Sequence, residues 1–467
     1  MRIHWFLKLS AWCLAIGLVI GAAAIAILYS RDLYPGQSVA DNVLALVGGR
    51  IYDPFAEQII DGAVIVIRGR EIVAVDAAAE IPQGARVLNV GGLTLLPGLI
   101  DSHVHLSGIR TRISDGSREL GWLAYFWRFV RRFPERRRSL IEAGVTTAKS
   151  LGDPYPWIVR FAQRIDDHEL AGPRIFAGGP MFTAPGGHPV ANLRRAGQGD
   201  TSYIAQVTRQ LTDPQEARAA VEQIAPRVDF ITVVLERRND PSLTRLPAVL
   251  VNATVSAAHA KGLPVLIHVS DVASVELAVA AGCDGIEHVP YDQPIDTLLL
   301  NRLRETDVSV VPTLQALEQS LAAARGDTLS ARRARENTRR IYRAGIPLVA
   351  GSDAPSPGTT FGFTLHEELR NLVEVGLTPA EAISAATAAA ARHLGLAAKL
   401  GSIAPGKRAD VVAVGGDPLV DITALAELYL VIADGQVLLD RLIEAPRPDA
   451  VIAMAAGRGT LHETSGR

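Results

Sequence analysis

Eight short apolar runs alternate with helix-like segments between residues 98 and 400, and this alternation leaves the chain few possible folds. The strand-like runs are Leu99–His105, Val145–Leu151, Arg174–Gly178, Phe230–Glu236, Pro264–Val269, Gly285–Val289, Val308–Leu314 and Pro347–Asp353. Helix-like segments between them include Pro214–Ala225, Pro247–Ala260, Val272–Ala281 and Ala331–Ala344. Repeated β-α units of this kind predict an α/β fold, a (β/α)8 TIM barrel, over residues 98–403.

Short strands separated by Gly-rich turns flank this barrel on both sides. They are Val43–Val47, Gly62–Arg68, Glu71–Val75 and Val87–Val90 before it, and Asp410–Val414 and Tyr429–Ile432 after it. Asp434-Gly435 is typical of a hairpin turn. We therefore expect residues 36–97 and 404–445 to build one small β-sandwich domain together, followed by a polar C-terminal tail at 446–467.

The N-terminus carries an uncharged stretch from Leu9 to Ser30 that follows basic residues. Its length suits a spanning helix better than the shorter core of a cleavable signal. We expect residues 1–35 to form a transmembrane anchor, with the main domain on the non-cytoplasmic side, periplasmic or extracellular. Two alternatives stay open: cleavage at Ala22-Ala23-Ala24, which would release a secreted protein, and a buried soluble helix.

A second unusual segment, Gly121–Ser139, mixes aromatic residues with six arginines. This mixture suits a membrane interface. The alternative is an ordinary barrel helix with buried aromatic residues and a solvated arginine face.

Composition limits the partners of the chain. Apolar residues make up 48% and charged residues 21% of the 467 residues, which suits a globular protein with a large core. The net charge of −2 argues against nucleic-acid binding. The two cysteines, Cys13 and Cys283, indicate no disulfide framework. The oligomeric state is left open, and a homo-oligomer is compatible with the sequence.

Polar residues stand at the ends of the predicted barrel strands, where TIM barrels carry their chemistry. These residues are His103, His105, Lys149, Glu236, His268, His288 and Asp353. His103 and His105 are two apart and share one face of a strand, as two imidazole ligands of one metal must. Neutral imidazoles with one carboxylate suit Zn²⁺ or a similar divalent ion. The alternatives are surface histidines and, for Asp353, a helix N-cap.

Several short motifs carry a family resemblance over residues 43–440. They are Pro97-Gly98-Leu99-Ile100-Asp101-Ser102-His103-Val104-His105, Gly144-Val145-Thr146-Thr147, Gly186-Gly187-His188, Gly285-Ile286-Glu287-His288, Val311-Pro312-Thr313-Leu314, Gly351-Ser352-Asp353, Leu377-Thr378-Pro379 and the segment 401–410. In this order they resemble the metal-dependent amidohydrolase superfamily, in the branch of imidazolonepropionases and Xaa-Pro or Xaa-Arg dipeptidases.

The resemblance implies roles for individual residues. His103 and His105 match metal ligands of the first strand, and His268 and His288 match the histidines of strands five and six. Asp353 matches an aspartate that binds metal and shuttles a proton. His188 matches a loop near the substrate, and a flexible glycine loop with an incidental histidine is its alternative.

Lys149 is a second candidate for substrate binding, because a lysine at the end of strand two could neutralise a substrate carboxylate. Its alternative is an ion pair with Asp153 or Glu287.

One position departs from the pattern. Related dipeptidases carry a strand-four lysine that becomes carboxylated and bridges two metals, and Thr232 stands there instead. We therefore expect one ion, held by His103, His105, His268 and Asp353. His288 would then orient water or polarise the scissile carbonyl. Glu236 could replace the bridge, and an exposed strand-end residue is its alternative.

These features predict a hydrolase that uses a metal-activated water to cleave a C–N bond of a small substrate such as a dipeptide, an N-acyl amino acid or a cyclic amide. Asp353 and His288 are the expected catalytic residues. An esterase or lactonase would use the same centre. The missing lysine also allows a non-catalytic binding protein on the same scaffold.

Overall fold

The computed structural model describes residues 34–39, 42–107, 133–195, 201–238, 240 and 242–445, together with positions 12, 17 and 21. Most of the predicted anchor at 1–35, most of Gly121–Ser139 and the tail at 446–467 lie outside the described residues. Among the residues that are described, no helix combines the length and apolarity needed to cross a bilayer.

The strands flank the central part of the chain on both sides, and within that central part they alternate with helices. They are β1 Val43–Val47, β2 Arg50–Asp53, β3 Gln58–Asp61, β4 Val64–Arg68, β5 Glu71–Asp76, β6 Arg86–Asn89, β7 Thr94–Pro97, β8 Leu99–Val104, β9 Val145–Ser150, β10 Arg174–Ala177, β11 Met181–Thr183, β12 Thr208–Gln210, β13 Ile231–Val234, β14 Val265–His268, β15 Gly285–Glu287, β16 Ser309–Val311, β17 Val411–Val414, β18 Leu428–Ala433 and β19 Gln436–Asp440.

Apart from the helical positions 12, 17 and 21, the described α-helices lie between β8 and β17. A helix covers 133–142, and further helices span Trp157–Asp166, Val190–Arg195, Thr201–Val207, Pro214–Ile224, Ala248–His259, Val272–Ala280, Thr297–Glu305, Leu314–Arg325, Thr328–Arg343, Phe363–Val375, Pro379–Ala385 and Ala388–His393.

Two sheets form the small β domain, and only the larger one combines strands from both flanks. One has the order β5-β4-β1-β6 and the other β19-β18-β17-β7-β2-β3. Side chains of both sheets, among them Leu46, Ile65 and Val411, share one apolar core. The predicted residue limits of the domains remain a prediction.

The larger sheet also packs against the barrel, because side chains alternate across a strand. In β17, Val411 and Ala413 enter the core of the sandwich, whereas Val412 and Val414 enter the core of the barrel. This sheet is therefore a wall shared by two cores, which explains why β17 is apolar at every position.

The barrel is a ring of parallel strands, which confirms the predicted α/β barrel architecture. β8, β9 and β10 pair in one sheet, and β13, β14, β15 and β16 pair in another. The backbone N–H of Asp229, just before β13, donates to Ala177 O in β10 at 3.0 Å and joins the two sheets. The short strands β11 and β12, which the sequence analysis missed, extend the second sheet beside β13.

The eighth predicted strand, Pro347–Asp353, is wrong as a regular strand, although it closes the ring. Val349 N donates to Val310 O at 2.9 Å on one side, and Asp353 N donates to His103 O at 2.8 Å on the other. Asp353 has a left-handed φ of 49°, which interrupts extended pairing. This change of backbone direction lies where the Asp353 carboxylate enters the barrel mouth.

The described end of Gly121–Ser139 belongs to the helix over 133–142 and faces the protein. Phe133 makes an edge-to-face contact with Phe161, at 5.1 Å between ring centroids. Arg136 donates to Leu106 O, and Arg137 donates to Ala171 O. These two arginines are buried, so they do not form the solvated face that the sequence analysis considered.

Candidate metal centre

The first two histidines of the centre lie at the end of β8. His103 is fully buried, and its Nδ1 lies 2.6 Å from Glu287 Oε2. His105 Nδ1 hydrogen-bonds to Leu151 O. A carboxylate and a carbonyl can only accept, so each Nδ1 carries a proton, and Nε2 has the lone pair whenever the ring is neutral.

His268, at the end of β14, and His288, directly after β15, present the same tautomer. His268 Nδ1 lies 3.5 Å from Glu236 Oε1. His288 Nδ1 lies 2.6 Å from Thr313 Oγ1, whose own proton goes to Pro312 O. The hydroxyl therefore accepts from His288 Nδ1, so Nε2 is the ligand atom of this ring whenever the ring is neutral.

The four imidazoles meet with Asp353 in one cluster. The ring centroid of His103 lies 5.2, 5.0 and 4.7 Å from those of His105, His268 and His288, respectively. Two groups have ligand atoms within 4.8 Å of one another: His103 with His268 and His288, and His103 with His105 and Asp353. The structure thus brings together the four expected ligands and His288.

This donor set fits a divalent cation. Within the described residues, His103 Nε2 and His268 Nε2 are buried without a hydrogen-bond partner. His105 Nε2 lies 3.1 Å from Asp353 Oδ1, so the two atoms share a hydrogen bond when His105 is protonated, and a cation between them would replace that proton. Imidazole nitrogens with one carboxylate are the usual ligands of Zn²⁺ and related ions.

Burial and local charge set the protonation of the centre. Burial lowers the pKa of His103 to about 3 and also lowers the pKa of His268, which keeps both rings neutral. Burial alone would raise the pKa of Asp353, but its hydrogen bond with His105 holds that pKa below its usual range. Asp353 is therefore ionised and available as a ligand.

A buried ion pair holds His103 from behind. Lys149 Nζ bonds to Glu287 Oε1, and its second partner is His393 Nε2 at 2.7 Å. Lys149 and Glu287 are fully buried. Lys149 therefore forms the ion pair with Glu287, the alternative to substrate binding. It has no exposed face for a substrate carboxylate.

A second carboxylate, Asp101, supports the last segment of the barrel. Asp101 accepts hydrogen bonds from Ser352 N at 2.9 Å and from Ser352 Oγ at 2.6 Å. Ser352 precedes Asp353, so these bonds fix the backbone that carries the Asp353 carboxylate. Position 351, directly before Ser352, requires a glycine, since a Cβ there would lie 2.7 Å from His103 Cβ.

Glu236 lies inside the centre, and the expectation of an exposed strand-end residue is wrong. Its side chain is 3% exposed, and Oε1 lies 3.1 Å from His288 Nε2. Arg238 Nε donates to Glu236 Oε2 at 2.6 Å. His188 Nε2 lies 3.9 Å from the same oxygen, which places the Gly-Gly-His loop beside the centre. His188 Nδ1 is 3.0 Å from Asn192 Nδ2.

Backbone strain is concentrated at this mouth. His288, Thr313, Asp353 and Arg238 have positive φ values of 68°, 51°, 49° and 46°. Such conformations are costly for residues other than glycine and persist where surrounding contacts impose them, often at functional sites.

No motif of the sequence indicates a site role for Glu287, His393, Asp101 or Arg238. Glu287 is adjacent to His288 in the motif, but its partners lie 138 and 184 residues away along the chain. Only a folded barrel reveals such pairings.

The chain is similar in sequence and in fold to several known proteins. A sequence model of the amidohydrolase family matches residues 94–438. Ochratoxinase of Aspergillus niger is 27% identical over 398 residues, which covers 78% of this chain and 80% of that relative. An imidazolonepropionase of Rhodococcus jostii is 27% identical over 373 residues, with coverages of 76% and 83%. The structure of a Xaa-Pro dipeptidase with methionine bound in its active site gives a TM-score of 0.72 at 25% identity, and covers 85% of this chain and 99% of that one.

Proposed function

The chain belongs to the amidohydrolase family, whose members are metal-dependent hydrolases, and we propose that it hydrolyses a C–N bond of a small substrate at the His103 cluster. The observation that carries this proposal is the convergence of four Nε2 atoms and one carboxylate at the mouth of the barrel. Amide and peptide-like bonds are the substrate class that this centre suits best.

One divalent ion, with Zn²⁺ as first choice, would be held by His103, His105, His268 and Asp353. When bound, such an ion lowers the pKa of a water to about 7 and polarises a carbonyl. Thr232 supports a single ion, because its side chain cannot form the carbamate that bridges two metals. Its Oγ1 is buried without a hydrogen-bond partner in the described structure.

The residues divide the proton chemistry between them. Asp353 can accept the proton of the attacking water and deliver it to the leaving nitrogen. Glu236 raises the pKa of His288 against the effect of burial. A protonated His288 bonded to Glu236 would stay outside the ligand set, where it can orient water and stabilise the developing oxyanion.

A substrate screen tests this function. Metal-reconstituted protein is assayed against a library of dipeptides, N-acyl amino acids and cyclic amides, with Asp353→Asn as the inactive control. We expect turnover of an amide that Asp353→Asn reduces at least about 100-fold, since general acid–base groups contribute about 100- to 10,000-fold. Turnover of esters or lactones alone would favour the second enzyme function. Folded, metal-loaded protein that turns over nothing would favour a binding protein.

A further inference from the structure

Arg238 is a charged side chain at the barrel mouth to which the hydrolytic scheme gives no role. It lies four residues beyond the end of β13, and its Nε donates to Glu236 Oε2 at 2.6 Å. The other oxygen of this carboxylate is 3.1 Å from His288 Nε2. The Arg238 guanidinium is therefore linked to His288 through the carboxylate of Glu236.

The backbone holds Arg238 in this place at a conformational cost. Its φ of 46° is left-handed. Ser270 Oγ accepts hydrogen bonds from the backbone N–H groups of Arg237 at 2.9 Å and Arg238 at 3.3 Å. These two hydrogen bonds stabilise the turn that brings the Arg238 side chain back over the end of β13. His288 and Asp353 have the same kind of backbone strain, a positive φ.

The guanidinium keeps donors that the protein does not use. Its side chain is 35% exposed, whereas the Glu236 side chain beneath it is 3% exposed. Across the described part of the chain, neither Nη atom has a hydrogen-bond partner, so only Nε is engaged. Burial would lower the pKa of Arg238, but the charges of Glu236 and Asp353 raise it, and the group stays cationic.

We propose that the two Nη groups of Arg238 bind a carboxylate of the substrate, which makes N-acyl amino acids and dipeptides the preferred substrates over neutral cyclic amides. A guanidinium presents paired donors in one plane that match the two oxygens of a carboxylate. This inference rests on the proposed function and assigns to Arg238 the task that the buried Lys149 cannot perform.

Binding of non-hydrolysable probes tests the assignment without turnover. Metal-loaded protein is titrated calorimetrically with L-leucine, L-phenylalanine and L-proline, and with the matching amino alcohols, L-leucinol, L-phenylalaninol and L-prolinol. We expect the best amino acid to bind at least about tenfold more tightly than its alcohol, because hydrogen bonds to charged groups are worth roughly this much. Arg238→Gln should abolish the preference, and Arg238→Lys should retain part of it.

Arg164→Gln is the matched control, because Arg164 is also half-exposed and paired with a carboxylate, Glu169, but lies on an outer helix. Metal content and thermal unfolding are recorded for every variant, so that a loss of fold is recognised. Three results would overturn the assignment: no preference in the wild type, a preference that survives Arg238→Gln, or an equal weakening of both probes, which would mean that Arg238 only neutralises Glu236. A carboxylate preference without turnover of any amide would instead contradict the proposed function alone.

Discussion

At the scale of single residues, the centre depends on which nitrogen of each imidazole carries the proton. His103 meets a carboxylate through Nδ1, and His105 meets a backbone carbonyl. Partners of this kind orient metal ligands and raise their basicity, and their loss typically weakens metal binding about 10- to 100-fold.

Glu287→Gln should therefore weaken binding of a divalent ion about 10- to 100-fold, because the amide is a poorer acceptor for His103 Nδ1 and leaves Lys149 without its charge partner. Competition with a chelating dye measures the affinity. Glu276→Gln, on the exposed face of the Val272–Ala280 helix, is the control.

The double variant Glu287→Gln/Lys149→Met separates orientation from stability. Removing both buried charges should recover most of the stability lost in the single variant, because a lone buried lysine is costly. Metal affinity should stay low in the double variant. Recovery of affinity together with stability would contradict the orienting role of Glu287.

The sequence indicates the proposed ligands better than the residues that support them. His103, His105 and Asp353 stand in short local motifs, so their chemistry can be recognised from spacing. Glu236 is different, because polar strand ends are usually solvated and its burial comes from side chains of three other segments. No local pattern carries that information.

At the scale of elements, the segment that closes the barrel is held by a close contact instead of regular pairing. A Cβ on Gly351 would lie 2.6 Å from Val311 Cγ1 and 2.7 Å from His103 Cβ. The sequence indicated a strand here because Val349 and Ala350 are apolar. It could not show that the side chain of His103, in the first barrel strand, occupies the space beside Gly351.

Gly351→Ala should lower the free energy of unfolding by about 1–3 kcal/mol, the usual cost of overpacking a core. It should also weaken metal binding, since His103 must move to admit the methyl group. Urea unfolding and metal titration measure the two effects. A variant with unchanged stability and affinity would show that the contact is not as tight as described.

The helix Ala388–His393 ends in a histidine that gives the fold a pH dependence. Burial, followed by the charge of Lys149, lowers the pKa of His393 to about 3 from 6.5. The folded state therefore resists protonation of His393, so stability present above pH 6.5 is lost as the pH falls. Between pH 8 and pH 5 the wild type should lose about 2 kcal/mol through this group.

His393→Gln should lack this increment, because glutamine does not titrate and can still accept from Lys149. Urea unfolding of both proteins at pH 8 and pH 5, with equal metal content, isolates the difference. An identical loss of stability in the two proteins would contradict the buried, neutral state of His393.

At the scale of the whole molecule, the shared six-stranded sheet couples the sandwich to the barrel. Both flanks were recognisable as strands because they alternate and end in turns such as Asp434-Gly435, where φ is positive at both residues. That one sheet would serve two cores was not predictable, because apolar residues on both faces of a strand do not reveal what covers each face.

The coupling predicts one unfolding transition for both domains. Val411→Ala, in the sandwich core, and Val412→Ala, in the barrel core, should each cost about 2 kcal/mol. Calorimetry should show both variants shifting the same single peak. Two separate peaks, of which each variant moves only one, would contradict the coupling.

The central claim is that His103, His105, His268 and Asp353 hold one divalent ion in the barrel mouth. Elemental analysis of the metal-reconstituted, exhaustively dialysed protein tests it most directly, with His268→Ala beside the wild type. We expect about one ion per wild-type chain and a large loss of that ion in the variant, whose fold is checked by circular dichroism. A folded wild type that retains no ion, or a variant that retains as much as the wild type, would contradict the account.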